Sequence, residues 1–137
     1  MNGLIGNTPM IKINYEICGV LKSVYVKLEY YNLTGSIKDR MAYYIIKKAK
    51  ENNMLKEGQS IIEATSGNTG ISLSAIGSYF KHDVHIFMPD WVSIERKKLM
   101  EMYGAHVHLI SKEEGGFLKC IEEADKLALK LSGFRPN

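Results

Sequence analysis

Residues 60–80 read SIIEATSGNTGISLSAIGSYF, and this stretch decides the fold. The first part, residues 60–64, contains two adjacent isoleucines and is typical of a short strand. The last part, residues 69–80, has the length and the apolar content of a helix. Between them, Thr65 to Gly70 are small residues that form hydrogen bonds readily, as turns require. A strand that passes through a short turn into a helix is the repeating unit of a parallel sheet.

The same alternation continues on both sides of this stretch. Short apolar runs indicate strands, and longer periodic segments indicate helices. The order predicts an α/β fold, an open parallel sheet with right-handed crossovers that is flanked by helices. No linker or repeat interrupts the pattern, so residues 1–137 are expected to form a single domain. The expected strands are 10–13, 24–29, 60–64, 84–88 and 106–110, and the expected helices are 37–52, 69–80, 94–103 and 116–131.

Local signals add detail to two of the helices. The third helix is expected to begin after Ser93 as its N-cap and to stop at Gly104. The first helix has apolar residues at the i, i+3, i+4 spacing of a helix that packs on a sheet. The flank expected to face the sheet is formed by Met41, Tyr44, Ile45, Lys48 and Ala49.

The composition is that of a folded globular domain. Of the 137 residues, 45% are hydrophobic and 24% are charged, which excludes a disordered chain. The net charge of +3 comes from scattered lysines and is too weak to predict a nucleic-acid partner. The N-terminus lacks the pattern of a signal peptide, and no apolar run is long enough to cross a membrane. We therefore expect a cytoplasmic protein with no membrane partner.

The cysteines and histidines do not form a recognisable ligand pattern. Cys18 and Cys120 are far apart and lack CxxC spacing, so both are expected to be free thiols. His106 and His108 would share one face of a strand, but no third ligand recurs nearby. We expect a polar strand face here and no metal site.

The turn from Thr65 to Gly70 has the features of a binding site. In an open parallel sheet such a turn lies at the carboxyl ends of the strands, where ligands bind. Its backbone N–H groups and the following helix N-terminus would form an anion site, and Gly67 and Gly70 would let a ligand approach the main chain. Because the chain lacks GxxxxGKS/T and GxGxxG, a carboxylate fits better than a polyphosphate. The alternative is an ordinary helix start with no ligand.

A second loop of interest leads to Lys38, within residues 32–40, NLTGSIKDR. The lysine stands where a polar loop becomes a helix, and the helix dipole opposes positive charge there. One interpretation is a solvated helix start, with Ser36 as the N-cap and Asp39 in the first turn. The other is a nucleophilic lysine suited to Schiff-base chemistry. In a parallel sheet this lysine would face the turn at 65–70 across the same edge, which favours the second interpretation.

Four segments, in order, resemble the cysteine synthase and cystathionine β-synthase group of fold type II pyridoxal-phosphate enzymes. The resemblance extends over nearly the whole chain. It implies the N-terminal domain of the tryptophan-synthase-β-like fold, with pyridoxal 5′-phosphate as the cofactor. The segments are IGNTPM at 5–10, KLE at 27–29 with residues 32–40, TSGNTG at 65–70, and MP at 88–89 with SIER at 93–96.

The resemblance also implies roles for individual residues. Lys38 would bind the cofactor as a Schiff base and then remove the substrate's Cα proton. Asn68 would form a hydrogen bond with the cofactor's 3′ oxygen. The implied reaction is β-replacement on O-acetylserine, or on a related β-substituted alanine, giving cysteine. The residues that would hold the substrate carboxylate are Thr65, Ser66, Gly67, Asn68 and Thr69.

Two features of the motifs bear on the choice of reaction. Serine and threonine dehydratases of this fold typically carry phenylalanine before the lysine and histidine in the asparagine loop, where this chain has Ile37 and Thr69. The difference favours β-replacement over deamination. Residues 88–91, MPDW, and 113–118, EEGGFL, resemble cysteine lyases and diaminopropionate synthases, so these activities are kept as alternatives.

The family's glycine-rich phosphate loop, and the serine or threonine that faces the pyridine nitrogen, belong to a second, C-terminal domain. The resemblance implies that residues 1–30 pack on that domain, and that without it the strands at 10–13 and 24–29 are open to association. A homodimer, or association with a separate C-terminal half, is the expected assembly. The alternatives are a non-catalytic fragment, half of a split enzyme, and a nucleotide-binding Rossmann-like module, which lacks its glycine fingerprint here.

Overall fold

The computed structural model describes residues 1 and 3–136 as a two-stranded ribbon and a three-stranded sheet covered by four helices. In chain order, the elements are β1 (Met10–Ile17), β2 (Val20–Lys27), a 3₁₀ helix (Glu29–Tyr31), α1 (Lys38–Glu51), β3 (Ile61–Ala64), α2 (Asn68–Tyr79), β4 (Val84–Pro89), α3 (Ile94–Met102), β5 (His106–Ile110) and α4 (Gly116–Leu131).

The three-stranded sheet has the order β3-β4-β5, and both pairs of neighbours are parallel. Ile61 pairs with Val84, and His85 pairs with His106. Each strand is joined to the next through a helix, as parallel neighbours require. The expected α/β fold, with an open parallel sheet flanked by helices, is confirmed. From α1 onward, the expected bounds differ from the observed ones by at most one residue at either end.

Both faces of the middle strand are buried. Val84, Ile86 and Met88 pack into a core with residues of α1, α2 and α3. Phe87 belongs to a second core on the opposite face, which α4 covers. Burial on both faces explains why β4 reads as a nearly continuous apolar run, VHIFMP. The helix layers thereby hold the carboxyl ends of β3 and β4, and the turns that follow them, in place.

The residues after α4 pair with the free edge of β3 at one position. Phe134 forms a parallel bridge with Ile61. Its N–H donates to the Ser60 carbonyl at 2.8 Å, and the N–H of Ile62 donates to the Phe134 carbonyl at 2.9 Å. The chain after α4 thus starts to extend the parallel sheet beside β3. Asn137 lies outside the described residues.

β1 and β2 form an antiparallel hairpin that is separate from the parallel sheet. Both strands are longer than the expected ranges, and β2 begins at Val20 rather than Val24. The turn explains the difference, since Cys18 and Gly19 have φ values of +50° and +76°. A type I′ turn needs positive φ at both central residues and is usually announced by Asn-Gly or Asp-Gly. Cys-Gly does not carry that signal.

One face of the hairpin is apolar and uncovered by the rest of the described chain. Every residue of β1 is exposed. Directly opposed residues of an antiparallel pair lie on the same face, and three apolar pairs share one face of this hairpin, with Tyr15 opposite Lys22 among them. A two-stranded hairpin with no covering layer is only marginally stable in water. The opposed apolar pairs are Ile11 with Val26, Ile13 with Val24, and Ile17 with Val20.

α1 packs through a different flank from the one expected. Tyr44 is 63% exposed and Met41 is 38% exposed, although both belong to the flank predicted to face the sheet. The helix packs against α2 instead of lying directly on the strands. The flank that contains Ala42 and Ile46 therefore faces inward, and Met41 and Tyr44 are turned outward. The buried residues of α1 are Asp39, Ala42, Ile46 and Ala49, of which only Ala49 belonged to the predicted flank.

Gly104 ends α3 as the sequence predicted. Its φ is +86°, and its N–H donates to the Glu101 carbonyl at 2.9 Å. This left-handed glycine is the usual C-terminal stop of a helix. Ser93 stands at the N-cap position, although its side chain makes no capping hydrogen bond. None of the helices in the described ranges is long and apolar enough to cross a bilayer.

Candidate active site

The N-termini of α1 and α2 lie side by side at one edge of the molecule. α1 leads into β3 and α2 leaves it, so both helices run in the same direction. Near their N-termini, the Ser72 hydroxyl of α2 donates to the Asp39 carboxylate of α1 at 2.6 Å. Asn68 precedes Ser72 by one helical turn, and Lys38 immediately precedes Asp39. Lys38 and the turn before α2 therefore reach the same edge.

Lys38 presents an accessible amine. It is the first residue of α1 and its side chain is exposed. Its Nζ forms no hydrogen bond or ion pair with the residues that the structure describes. The backbone N–H of Lys38 donates to the Ser36 hydroxyl at 3.2 Å, so Ser36 supports the helix start as expected, although Ile37 holds the N-cap position.

The turn after β3 is anchored at its start and open beyond it. The N–H of Thr65 donates to the Phe87 carbonyl at 2.9 Å and continues the pairing of β3 with β4. The side chains of Thr65, Ser66, Asn68 and Thr69 make no hydrogen bonds within the described part of the chain. Four polar side chains without partners, at the N-terminus of a helix, form a donor set suited to a carboxylate.

The two glycines of this turn serve different purposes. A Cβ atom at Gly67 would meet no atom within 4 Å, so the space above it is open to a ligand. At Gly70 a Cβ would lie 2.8 Å from Cε of Met100 and 2.9 Å from Cγ2 of Thr65. Gly70 is buried, and it allows α2 to pack closely on α3. Its expected role in the approach of a ligand is therefore replaced by a packing role.

Arg96 reaches the same turn from α3. Its Nη1 donates to the Ser66 carbonyl at 3.3 Å, and the side chain is exposed. The contact places a positive charge beside the proposed carboxylate site. In the sequence, Arg96 was recognised only as the last residue of the SIER segment, because nothing local indicates which loop an exposed arginine contacts.

A polar network joins the N-terminal segment to α1. The Glu29 carboxylate accepts hydrogen bonds from Arg40 Nε, Thr8 Oγ1 and Asn32 Nδ2, each at 2.8 Å. The Asn32 side-chain oxygen in turn accepts the Gly6 N–H at 2.8 Å. The hydrogen bonds from Arg40, then those from Thr8 and Asn32, lower the pKa of Glu29 to about 2 against the opposing effect of burial. Thr8 belongs to the segment at 5–10, whereas Glu29, Asn32 and Arg40 belong to the segment at 27–40, and no local pattern indicates the contacts between them.

Acid is expected to destabilise the chain partly through Glu29. Its pKa is about 2 in the folded chain and 4.5 ordinarily, so its ionised form stabilises the fold above about pH 4.5. This contribution is lost as the pH falls from about 4.5 towards about 2. Thermal unfolding between about pH 5 and about pH 2.5 should show a steeper fall in Tm for the unmodified chain than for Glu29→Gln.

The matched control for this measurement is Glu16→Gln. Glu16 is exposed on β1 and makes no hydrogen bond with any described residue. We expect this variant to keep the pH dependence of the unmodified chain. The same slope in Glu29→Gln and in the unmodified chain would contradict the proposed contribution of Glu29.

Three histidines lie together near the amino ends of β4 and β5. His85 Nδ1 is 3.2 Å from His108 Nε2, and the rings of His85 and His106 stack with centroids 4.8 Å apart. Burial, together with the neighbouring imidazoles, lowers the pKa of His85 and His108. Within residues 1 and 3–136, no group of three His, Cys, Asp or Glu side chains is placed to hold a metal ion. The expected polar face is mixed, because the His108 ring also stacks on Phe87 of the second core with centroids 4.4 Å apart.

Two cavities lie away from the candidate active site. One, of about 530 Å³, lies between α4 and residues 132–135, and another, of about 570 Å³, lies between β5 and the start of α4. Neither is lined by Lys38 or Asn68. Cavity size is a poor guide here, because the unpaired donors stand on an open edge of the chain.

The chain is similar to known proteins over nearly its whole length. A family model described as pyridoxal-phosphate dependent enzyme matches residues 1–136. A cysteine synthase of Flavobacterium sp. is 43% identical over 124 residues, which cover 90% of this chain and 40% of the relative.

Two solved structures are similar to this chain. A hydrogen sulfide-producing enzyme from Fusobacterium nucleatum has 50% identity and a TM-score of 0.93, covering 97% of this chain and 40% of that one. A cysteine synthase from Entamoeba histolytica has 37% identity and a TM-score of 0.89, covering 97% of this chain and 41% of that one. The chain thus spans about two fifths of the length of these relatives.

Proposed function

This chain belongs to the family of pyridoxal-phosphate-dependent enzymes, and from that premise we propose that it is the lysine-bearing N-terminal half of a cysteine synthase-like enzyme. Its helix-flanked sheet corresponds to the N-terminal domain of the fold type II enzymes. The proposed reaction is β-replacement on O-acetylserine, or on a related β-substituted alanine, giving cysteine. This activity would belong to a completed enzyme, because the chain spans 40% of its cysteine synthase relative.

One observation carries the proposal. The free amine of Lys38 and four polar side chains without partners, within residues 65–69, lie at the same edge of the chain. This donor set fits the aldehyde end of pyridoxal phosphate, because an amine condenses with an aldehyde and the Asn68 amide can donate to a ring oxygen. When bound, the cofactor supplies an electron sink for the negative charge that develops at the substrate's Cα.

The chain's own residues would bind the amino acid and move its proton. The backbone N–H groups and hydroxyls of residues 65–69 would hold the substrate carboxylate at the N-terminus of α2. Asn68 would orient the cofactor ring through its 3′ oxygen. The Nζ of Lys38 would then accept the Cα proton, since a base held at a fixed position transfers protons efficiently.

The same proposal assigns a role to the hairpin. Residues 1–30 would pack on a C-terminal half that carries the phosphate-binding loop, supplied by a longer chain or by a separate polypeptide. The uncovered apolar face of β1 and β2 supports this arrangement, because such a face is stabilised only when another layer covers it.

The experiment supplies a C-terminal half. The chain is co-expressed with the C-terminal part of the Flavobacterium cysteine synthase, the part that it does not match. We expect a complex that binds pyridoxal phosphate with a visible absorbance bleached by borohydride, and that forms cysteine from O-acetylserine and sulfide. Neither half alone should do so. A folded, associated complex without either property would contradict the proposal.

Two hairpin variants serve as a control for assembly. Ile13→Lys places a charge on the apolar face, opposite Val24, and Asn14→Lys places the same charge on the other face, opposite Ser23. We expect Ile13→Lys to weaken association by about tenfold or more and Asn14→Lys to leave it nearly unchanged. Equal effects of the two variants would show that this face is not the interface.

A second activity at the same site is favoured by the 50% identity to a hydrogen sulfide-producing enzyme. In this alternative, cysteine is the substrate. Lys38 would accept the Cα proton, the Cβ–S bond breaks, and the sulfur leaves with a proton as hydrogen sulfide. The remaining three-carbon fragment takes up water and is released as pyruvate and ammonia, which balances the reaction. The completed enzyme distinguishes the two activities, because only the second releases sulfide when cysteine is the sole substrate. The cysteine lyase and diaminopropionate synthase reactions would be identified by the product formed with an added nucleophile.

The proposal extends to the cellular location and the oligomeric state of the completed enzyme. Its substrates are small, water-soluble amino acids, so we include a cytoplasmic location in the proposal. A homodimer of the completed enzyme is also proposed, from the resemblance to the family. Size measurement of the reconstituted complex would test the assembly.

A further inference from the structure

A buried carboxylate joins the Lys38 segment to α2. Asp39 has no exposed surface. It accepts the Thr34 N–H at 2.6 Å, the Thr34 hydroxyl at 2.5 Å and the Ser72 hydroxyl at 2.6 Å. The two hydroxyl oxygens lie 3.2 Å apart. One carboxylate thus gathers three donors from two separate segments, the loop before Lys38 and the first turns of α2.

No positively charged side chain offsets this charge within the described ranges, where Asp39 forms no ion pair with Lys, Arg or His. Burying an ionised carboxylate is costly unless donors surround it. Here the three hydrogen bonds and the dipole of the α1 N-terminus provide the compensation. Elsewhere the α1 side chains in the core are apolar, such as Ala42 and Ile46, so helix packing alone does not require a carboxylate.

Asp39 lies next to Lys38, so its contact with Ser72 affects the position of Lys38. Asp39 follows Lys38 directly, and the loop that contains Thr34 leads straight into Lys38. Ser72 lies one turn after Asn68 on the same side of α2. A change in the contact between Asp39 and Ser72 would therefore shift Lys38 relative to the turn after β3.

We propose that Asp39 is a positioning residue, which clamps the loop before Lys38 to α2 and so holds the Lys38 amine opposite the carboxylate-binding turn. The inference rests on the function proposed for Lys38 and that turn. Asp39 acts through Lys38 and touches neither substrate nor cofactor. A displacement of about 1 Å between reacting groups can lower a rate by about a hundredfold, so a loosened clamp should lower the rate of the proposed reaction.

Two serine variants separate the clamp from general stability. Ser72→Ala removes the α2 side of the clamp. Ser74→Ala removes another fully buried hydroxyl of α2, which donates to the Gly70 carbonyl at 2.7 Å and does not contact Asp39. Amide hydrogen exchange of the chain should show residues 34–40 exchanging about tenfold faster in Ser72→Ala than in Ser74→Ala, once the global unfolding rates are matched with denaturant. Equal exchange in the two variants overturns the proposal.

A double-mutant cycle provides a second, independent measurement. Asp39→Asn and Ser72→Ala disturb the same contact. The change in the unfolding equilibrium constant of the double mutant should therefore differ by about fivefold from the product of the two single-mutant changes. For Asp39→Asn combined with Ser74→Ala, the change in the unfolding equilibrium constant should equal the product of the two single-mutant changes. Independent effects in both pairs overturn the clamp.

The completed enzyme then tests positioning itself. We expect Ser72→Ala to lower kcat by about tenfold or more while KM for O-acetylserine and bound cofactor change by less than about twofold. Ser74→Ala should keep kcat, and an equal loss in both variants overturns the proposal. An unmodified complex without activity would instead refute the proposed function, while hydrogen exchange and the double-mutant cycle would still decide on the clamp.

Discussion

Lys38→Ala in the completed enzyme is expected to abolish covalent attachment of pyridoxal phosphate and to lower cysteine formation by about a thousandfold or more. The proposed lysine both binds the cofactor and moves the Cα proton, so both steps lose their group at once. Because the side chain is exposed and forms no hydrogen bond or ion pair with another described residue, the free energy of unfolding should change by no more than about 0.5 kcal/mol. Borohydride reduction followed by peptide mass mapping would locate the adduct, and a coupled assay would follow cysteine.

The control for this experiment must allow for nonspecific labelling, because aldehydes react with any accessible amine. Lys98 in α3 is also exposed, and it forms no hydrogen bond or ion pair within the described ranges. Lys98→Ala should retain both the adduct and the activity. A full adduct in Lys38→Ala, or its loss in Lys98→Ala, would show that the wrong lysine has been assigned.

Ile86→Ala is expected to have the largest effect on stability. Ile86 is fully buried in the middle strand and belongs to the core shared with α1, α2 and α3. Its truncation removes packing and leaves a cavity that strands held on both sides cannot close, so the free energy of unfolding should fall by about 2–5 kcal/mol. That is a large part of the stability of a small domain. Denaturant unfolding monitored by circular dichroism would measure it.

A leucine in the neighbouring strand provides the comparison. Leu109 in β5 is 43% exposed, and we expect Leu109→Ala to cost about 1 kcal/mol or less. Similar losses for the two variants would contradict the description of β4 as the strand that carries the core.

The sequence predicted the elements of the α/β unit well and the hairpin poorly. The bounds of β5 and α4 were predicted correctly. α4 is a long periodic segment, and β5 is a short apolar run that follows the glycine stop of α3. The turn at Cys18 and Gly19 was missed, since its positive φ values are adopted without the usual turn residues. The prediction of the buried flank of α1 was wrong, because a helix with apolar residues on two sides can bury either side.

For the candidate site, too, the sequence predicted the local segments and missed the contacts between distant ones. Lys38 and residues 65–69 were identified from turn chemistry and from the resemblance, since both lie where a loop becomes a helix. The contacts that hold them were not identified. Arg40 binds Glu29 across 11 positions, Ser72 binds Asp39 across 33, and Arg96 binds Ser66 across 30. No local pattern records which distant group a polar side chain will meet.

The sequence by itself determined the kinds of elements, their order, the family and the two loops that we propose carry its chemistry. These depend on periodicity, turn residues and motifs, which are properties of short segments. Only the tertiary structure decided which face of α1 is buried, that Gly70 serves packing, and that Asp39 joins the lysine loop to α2. These depend on burial, because a side chain's environment is set by the distant segments that exclude water from it.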